Sequence, residues 1–101
     1  CHTFAFVQIT NNKKEYRFEI AFPDGEFAIL TYRWLKGSMV LMHTVVPVAH
    51  RKKGIGALLA AHVLEYARTH QLKVIVYCAF VAKYLTTHPE YNDLLDPAHI
   101  S

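Results

Sequence analysis

Hydrophobic and polar residues alternate along the first half of the chain, the pattern of β-strands with one buried face. A Pro-Asp-Gly turn at 23–25 and a Lys-Gly pair at 36–37 separate the later runs. The last run is apolar on both faces towards its end, as a central strand is, and Pro47 stops it because proline lacks an N–H. The pattern predicts four strands: Thr3–Thr10, Glu15–Phe22, Glu26–Leu35 and Ser38–Val46, the first two joined at residues 11–13.

The period then changes from two to between three and four. Apolar residues recur on one side of Ile55–His70, and His62, Glu65 and Thr69 share the other, which predicts an amphipathic helix. The β-branched run Lys73–Cys78 predicts a buried fifth strand, and strand four, the helix and strand five form a parallel βαβ unit. A shorter helix, Phe80–Thr87, must end before Pro89, and no period continues from Glu90.

These elements predict an α+β fold in the order β-β-β-β-α-β-α. The sheet is mostly antiparallel, with one parallel βαβ crossover. The chain has 101 residues, of which 52% are hydrophobic and 19% charged, so residues 1–101 are expected to form one folded domain rather than a disordered tail.

Several classes of protein are excluded by composition. The apolar runs are too short to span a membrane, and no signal-peptide pattern opens the chain. The two cysteines cannot form a disulfide framework, and no spacing of Cys or His suggests a metal site. We therefore expect a cytoplasmic protein with no metal and no membrane partner.

Basic residues cluster at one place. The net charge is +3, and His50, Arg51, Lys52 and Lys53 form a single run before Gly54 and Gly56. Glycines let a ligand approach the backbone closely, and the N-terminus of the following helix offers free N–H groups and a positive dipole end. This combination predicts an anion site suited to several phosphates, although a tight turn with solvated cations remains the alternative.

A second interpretation of the basic run is that the chain is a nucleic-acid-binding module. Such modules interleave exposed aromatic residues with cations across a face, whereas here the aromatic residues follow a buried period. The pattern therefore argues against nucleic acid as the partner.

The segment Arg51-x-x-Gly54-x-Gly56 between strand and helix resembles the acetyl-CoA pyrophosphate loop of the GNAT superfamily of N-acetyltransferases. The chain is most similar to small single-domain members, over about residues 26–95. Three further segments carry this resemblance: His43 to Pro47, Leu72–Ile75 leading into Cys78–Phe80, and Pro89-Glu90-Tyr91. It implies a minimal GNAT fold that uses acetyl-CoA as co-substrate.

The resemblance also implies a role for individual residues. Val45 and Val46 would pair their backbone with the pantetheine arm of CoA. Cys78 would be catalytic as the acetyl carrier, or would form the wall of the acetyl pocket, and Tyr84 would be the general acid. Cys78 precedes a predicted helix, a position that favours the reactive thiolate. The pyrophosphate would be bound by the loop residues Arg51, Lys52, Lys53, Gly54, Ile55, Gly56 and Ala57.

One departure from the family bears on activity. Many members carry an acidic residue at the position of Val45, where a general base could be recruited, and valine cannot accept a proton. His43 is a second candidate for the base. The chain is therefore expected to acetylate an amine directly or through Cys78, or to bind CoA without catalysis. The acceptor, a small molecule or a protein lysine, and the oligomeric state stay open.

Overall fold

The computed structural model describes residues 8–96, which form a five-stranded sheet with the strand order β1-β2-β3-β4-β5. The first four strands pair antiparallel, and β4 and β5 pair parallel, as predicted. The strands are β1 (Ile9–Asn12), β2 (Arg17–Ala21), β3 (Phe27–Leu35), β4 (Ser38–Val45) and β5 (Val74–Val76).

Two α-helices accompany the sheet, α1 (Ile55–Thr69) after β4 and α2 (Ala79–Thr86) after β5, which confirms the predicted order of strands and helices. The apolar side of α1, including Leu59 and Val63, is fully buried, while His62, Glu65 and Thr69 are exposed. Both helices and the strands share one core cluster. The amphipathic pattern of α1 was therefore a sound guide to its buried face.

The C-terminal end of the first strand was predicted wrongly. Asn11 and Asn12, expected in the connection, belong to β1 and pair with Phe18 and Arg17 of β2. The Asn12 side chain also donates a hydrogen bond to Glu19 across the pair (3.0 Å), so polar contacts replace the alternating pattern there. Most of the predicted strand Thr3–Thr10 lies outside the described residues.

Two other predictions need correction. β4 is buried on both faces in its first half, Ser38–Leu41, and alternates towards its end, the reverse of the expectation, because only the first half pairs with β5. β5 ends at Val76, so Cys78 is not a strand residue but the residue that caps the N-terminus of α2.

Two 3₁₀-helices within residues 8–96 were not predicted, Val48–Lys53 before α1 and Pro89–Leu94 after α2. The second is held by contacts distant in sequence. The Tyr91 hydroxyl donates to Glu65 (2.6 Å), and the Arg68 guanidinium binds Asp93. No period reveals such contacts, which is why the tail seemed irregular in sequence.

No α-helix in the described part of the chain has the length and hydrophobicity needed to cross a membrane.

Candidate functional site

β4 and β5 separate after a short parallel pairing. The pairing ends at Leu41 and Val76, and the N–H groups of Tyr77 and Cys78 both donate to the carbonyl of Leu41 (2.9 and 3.0 Å). Within residues 8–96, no strand pairs with the β5 side of β4 beyond Leu41. A cavity of about 530 Å³ opens there, which we call the wedge cavity; it is lined by Thr44, Val45, Val46, Arg51, Gly54, Gly56, Ala57 and Phe80.

The N-terminus of α1 forms one wall of the wedge cavity. The first hydrogen bond of the helix runs from the Leu58 N–H to the Gly54 carbonyl (3.1 Å), so the N–H groups of residues 55–57 have no acceptor inside the helix. No acidic side chain lies in this first turn. The positive end of the helix dipole thus faces the cavity without a compensating carboxylate.

The structure gives a reason for glycine at both positions of the loop that the sequence pattern did not reveal. Gly54 has a φ of +72°, in the left-handed region that favours glycine, and it joins the first 3₁₀-helix to α1. Gly56 lies under the ring of Phe80, where an added Cβ would be 2.7 Å from Cζ. Phe80 thus bridges the start of both helices, and it is a lining residue that sequence reasoning missed.

The predicted cofactor residues are largely brought together. Val45, Val46, Arg51 and three residues of the loop line the wedge cavity, and the Arg51 Nε donates to the Val46 carbonyl (3.0 Å). The side chain of Ile55 is instead buried, so only its backbone N–H can serve an anion. The side chains of Lys52 and Lys53 lie outside the described part of the structure, and their contact with phosphate stays a prediction.

Cys78 is buried, with 4% of its surface exposed, and its Sγ lies 3.2 Å from the Oγ1 of Thr44. Thr44 lines the wedge cavity, so this contact connects the thiol to the cavity wall. Sequence reasoning missed Thr44 as a partner because the two residues are 34 positions apart. The sequence showed only a polar residue near the end of a largely apolar strand.

Tyr84 is not among the residues that line the wedge cavity. Its ring stacks on His88 with the ring centroids 3.9 Å apart, near the end of α2. Burial raises the pKa of Tyr84, and the carboxylates of Glu90 and Glu65 add to the shift, so the phenol stays protonated at neutral pH. Its role as general acid stays a prediction.

Neither His43 nor His50 lines the wedge cavity. His43 precedes Thr44 in β4 and therefore points to the opposite face of the strand, where it lines a separate cavity of about 280 Å³. His50, which the sequence places with the cations of the loop, is 8% exposed and bonds to Asp24 through Nε2 (2.9 Å).

A further cavity, of about 460 Å³, lies between β5, α2 and the second 3₁₀-helix and is lined mainly by apolar side chains such as Val74, Leu85 and Leu95. None of the predicted site residues lines it. Across residues 8–96, no three His, Cys, Asp or Glu side chains are grouped so that they could hold a metal ion.

Comparisons with known proteins identify the family of this chain and support its fold. Residues 17–94 match the family model of the GCN5-related N-acetyltransferases. The chain is 34% identical to protein NATD1 of Homo sapiens, over 90% of this chain and 84% of that protein, and 30% identical to NATD1 of Gallus gallus, over 90% and 86%. A GCN5-like protein from Staphylococcus aureus, solved by NMR in solution, superposes with a TM-score of 0.69 at 28% identity, over 88% of this chain and 87% of that one. The chain belongs to the GCN5-related N-acetyltransferase family, with the minimal GNAT fold that its sequence resembles.

Proposed function

We propose that this chain binds acetyl-CoA in the wedge cavity and transfers the acetyl group to an amine. The observation that supports the proposal most is the separation of β4 from β5 beside the N-terminus of α1. An unpaired strand edge suits an extended chain of amides such as pantetheine, and uncompensated helix N–H groups suit a pyrophosphate. The two features meet in one cavity.

The donors around the cavity fit the phosphates of CoA. Arg51 lies at the rim and uses its Nε on the Val46 carbonyl, which leaves its terminal N–H groups for an anion. None of the lining residues is acidic. The electrostatics of the wedge cavity therefore favour a polyanion.

The absence of a lining carboxylate also bears on the chemistry. Val45, at the position where the family resemblance implies an acid in many members, is half exposed in the cavity wall and cannot remove a proton from an amine. Two routes satisfy this constraint, and both rest on residues described above.

In the direct route, the amine enters neutral and its nitrogen attacks the thioester carbonyl carbon. The C–S bond breaks, and the CoA thiolate leaves and takes a proton from Tyr84, the candidate donor. The amide nitrogen releases its extra proton, which returns through solvent to the Tyr84 phenolate. In the covalent route, the Cys78 thiolate attacks first, so that the acetyl group passes to Sγ and the CoA thiolate leaves. The neutral amine then attacks the Cys78 thioester, and the C–Sγ bond breaks to regenerate the Cys78 thiolate. The nitrogen loses its extra proton to solvent, which balances the protonation of the CoA thiolate.

Neither Cys78 nor Tyr84 lines the wedge cavity, but the Cys78 Sγ contacts the lining residue Thr44. This difference favours the covalent route. The acceptor amine is either a small molecule or a protein lysine. Assays of both kinds of acceptor, followed by the release of CoA thiol, would identify it.

Binding is tested by calorimetric titration of CoA into three proteins: the wild type, Ala57→Glu and Ala57→Gln. Ala57 occupies the third position of α1, where a glutamate stabilises a helix but would repel a pyrophosphate. We expect Ala57→Glu to melt no lower than the wild type yet to lose CoA binding, while the neutral variant of equal size retains most of it.

Three results would contradict the proposal. Wild-type protein that does not bind millimolar CoA would remove acetyl-CoA as co-substrate. Equal CoA affinity in all three proteins would place the phosphates elsewhere. Stabilisation by single-stranded DNA in the absence of any effect of CoA would favour the nucleic-acid alternative.

A further inference from the structure

His50 contacts the turn between β2 and β3, although the sequence places it among the cations of the loop. Its imidazole stacks on the Phe22 ring with the centroids 3.7 Å apart and the planes at 6°. Its Nε2 lies 2.9 Å from Oδ2 of Asp24. A stacked face and a bonded edge together fix both the position and the rotation of the ring.

The partners of His50 are themselves held in place. Asp24 uses its other carboxylate oxygen, Oδ1, to accept the N–H of Glu26 (2.9 Å). These two hydrogen bonds lower the pKa of Asp24, so the carboxylate is charged at neutral pH. Phe22 packs against the core and closes the turn, since its N–H donates to the Glu26 carbonyl (2.9 Å).

The segment that carries His50 is short, and the Arg51 Nε also ties it to the Val46 carbonyl just after β4. It is a 3₁₀-helix, whose hydrogen bonds are poorer than those of an α-helix, and no side chain caps its first residue. It ends at Lys53, and Gly54 leads directly into α1. A fixed His50 therefore limits where Gly54 and the first N–H groups of α1 can lie.

We propose that His50 is a positioning residue for acetyl-CoA, which fastens the segment 48–57 to the β2–β3 turn through Phe22 and Asp24. His50 acts through the loop and does not touch the ligand. The inference rests on the proposed function, because it assigns the anion-binding role to the segment that His50 holds.

The test compares His50→Ala with His88→Ala. His88 is a matched control because it also stacks on an aromatic ring, that of Tyr84, but at the far end of α2. The first measurement is backbone amide hydrogen exchange of residues 48–57 without ligand, and the second is the Kd for CoA. His50→Ala should accelerate exchange about tenfold and raise the Kd for CoA about tenfold. A tenfold change corresponds to about 1.4 kcal/mol, which is the size expected for the loss of one hydrogen bond. His88→Ala should change neither.

Two more variants separate positioning from a general loss of stability. His50→Gln keeps an N–H for Asp24 and should recover part of the affinity. Asp24→Ala breaks the same contact from an exposed turn, so it tests the proposal even if His50→Ala does not fold. Unchanged exchange at 48–57 in both His50→Ala and Asp24→Ala would overturn the proposal. Failure of the wild type to bind CoA would instead overturn the proposed function, since the exchange measurement needs no ligand.

Discussion

A Cβ on Gly56 would lie 2.7 Å from Cζ of Phe80, so the ring of Phe80 packs where any other residue at position 56 would place a side chain. The contact joins the first turns of α1 and α2 at the wall of the wedge cavity. Phe80 is 43% exposed, and the atom in conflict is the far end of its side chain. The ring can therefore turn away at modest cost.

This contact predicts that Gly56→Ala is less favourable to stability in the wild type than in a Phe80→Ala background. Alone, the gain in helix propensity of about 1 kcal/mol is offset by the displacement of Phe80, which costs about 1–3 kcal/mol. In a Phe80→Ala background only the gain remains. Urea denaturation of the four proteins of this cycle measures the coupling; a coupling energy of zero would show that the two residues do not interact.

Gly54 is expected to be intolerant of alanine because of its backbone and not because of space. Its φ is +72°, and no atom lies within 4 Å of an added Cβ. Gly54→Ala should lower the free energy of unfolding by about 1 kcal/mol, and Gly54→Asn by less, since asparagine adopts left-handed conformations more readily. If alanine matches the wild type in urea denaturation, the residue does not need the left-handed conformation.

The covalent route predicts that Cys78→Ala abolishes turnover while the Kd for CoA stays within a few fold. Acetyl-CoA without amine should then leave an acetyl group on Cys78, detectable by peptide mass spectrometry. Thr44→Val, which removes the hydroxyl 3.2 Å from Sγ, should slow the formation of this adduct, and Thr44→Ser should restore it.

The direct route predicts a different set of results. Cys78→Ala would cost little, no adduct would form, and the rate would climb with pH as the acceptor amine loses its proton. Tyr84→Phe would then lower kcat by about 10², the lower end of contributions from a general acid. Full activity in both Cys78→Ala and Tyr84→Phe would remove both residues from the mechanism.

The hydrogen bond from Tyr91 to Glu65 predicts a loss of stability at high pH. This hydrogen bond to Glu65 and, to a smaller extent, burial raise the pKa of Tyr91 from 10.0 to about 12. The unfolded state thus loses this proton at a lower pH than the folded state, so the contribution is complete below pH 10 and falls as the pH rises to about 12. The difference in unfolding free energy between the wild type and Tyr91→Phe should shrink over this range; a constant difference would contradict it.

The fold was predictable from sequence where contacts are local. The spacing of Ile55, Leu59 and Val63 determines the buried side of α1. In β2 and β3, the alternation of hydrophobic and polar residues determines which face of each strand is buried. The second 3₁₀-helix was not predictable, because Tyr91 and Asp93 are held by residues of α1 that lie 25 or more positions earlier.

The candidate site divides in the same way. The loop could be found from Arg51, Gly54 and Gly56, since its chemistry depends on neighbouring residues. The contacts of His50 could not be found from sequence, because its partners Phe22 and Asp24 belong to a turn that is distant along the chain. Composition also gave no sign that Phe80 rather than a ligand lies over Gly56.

Binding of CoA in the wedge cavity is tested most directly by following backbone N–H signals in two-dimensional NMR spectra during titration with CoA. We expect the largest shifts at Val45, Val46 and residues 54–57, where the unpaired strand edge meets the helix N-terminus. The cavity beside β5, of comparable volume, provides the internal comparison. Largest shifts at Val74, Leu85 and Leu95 instead, or no shifts at saturating CoA, would contradict the assignment of acetyl-CoA to the wedge cavity.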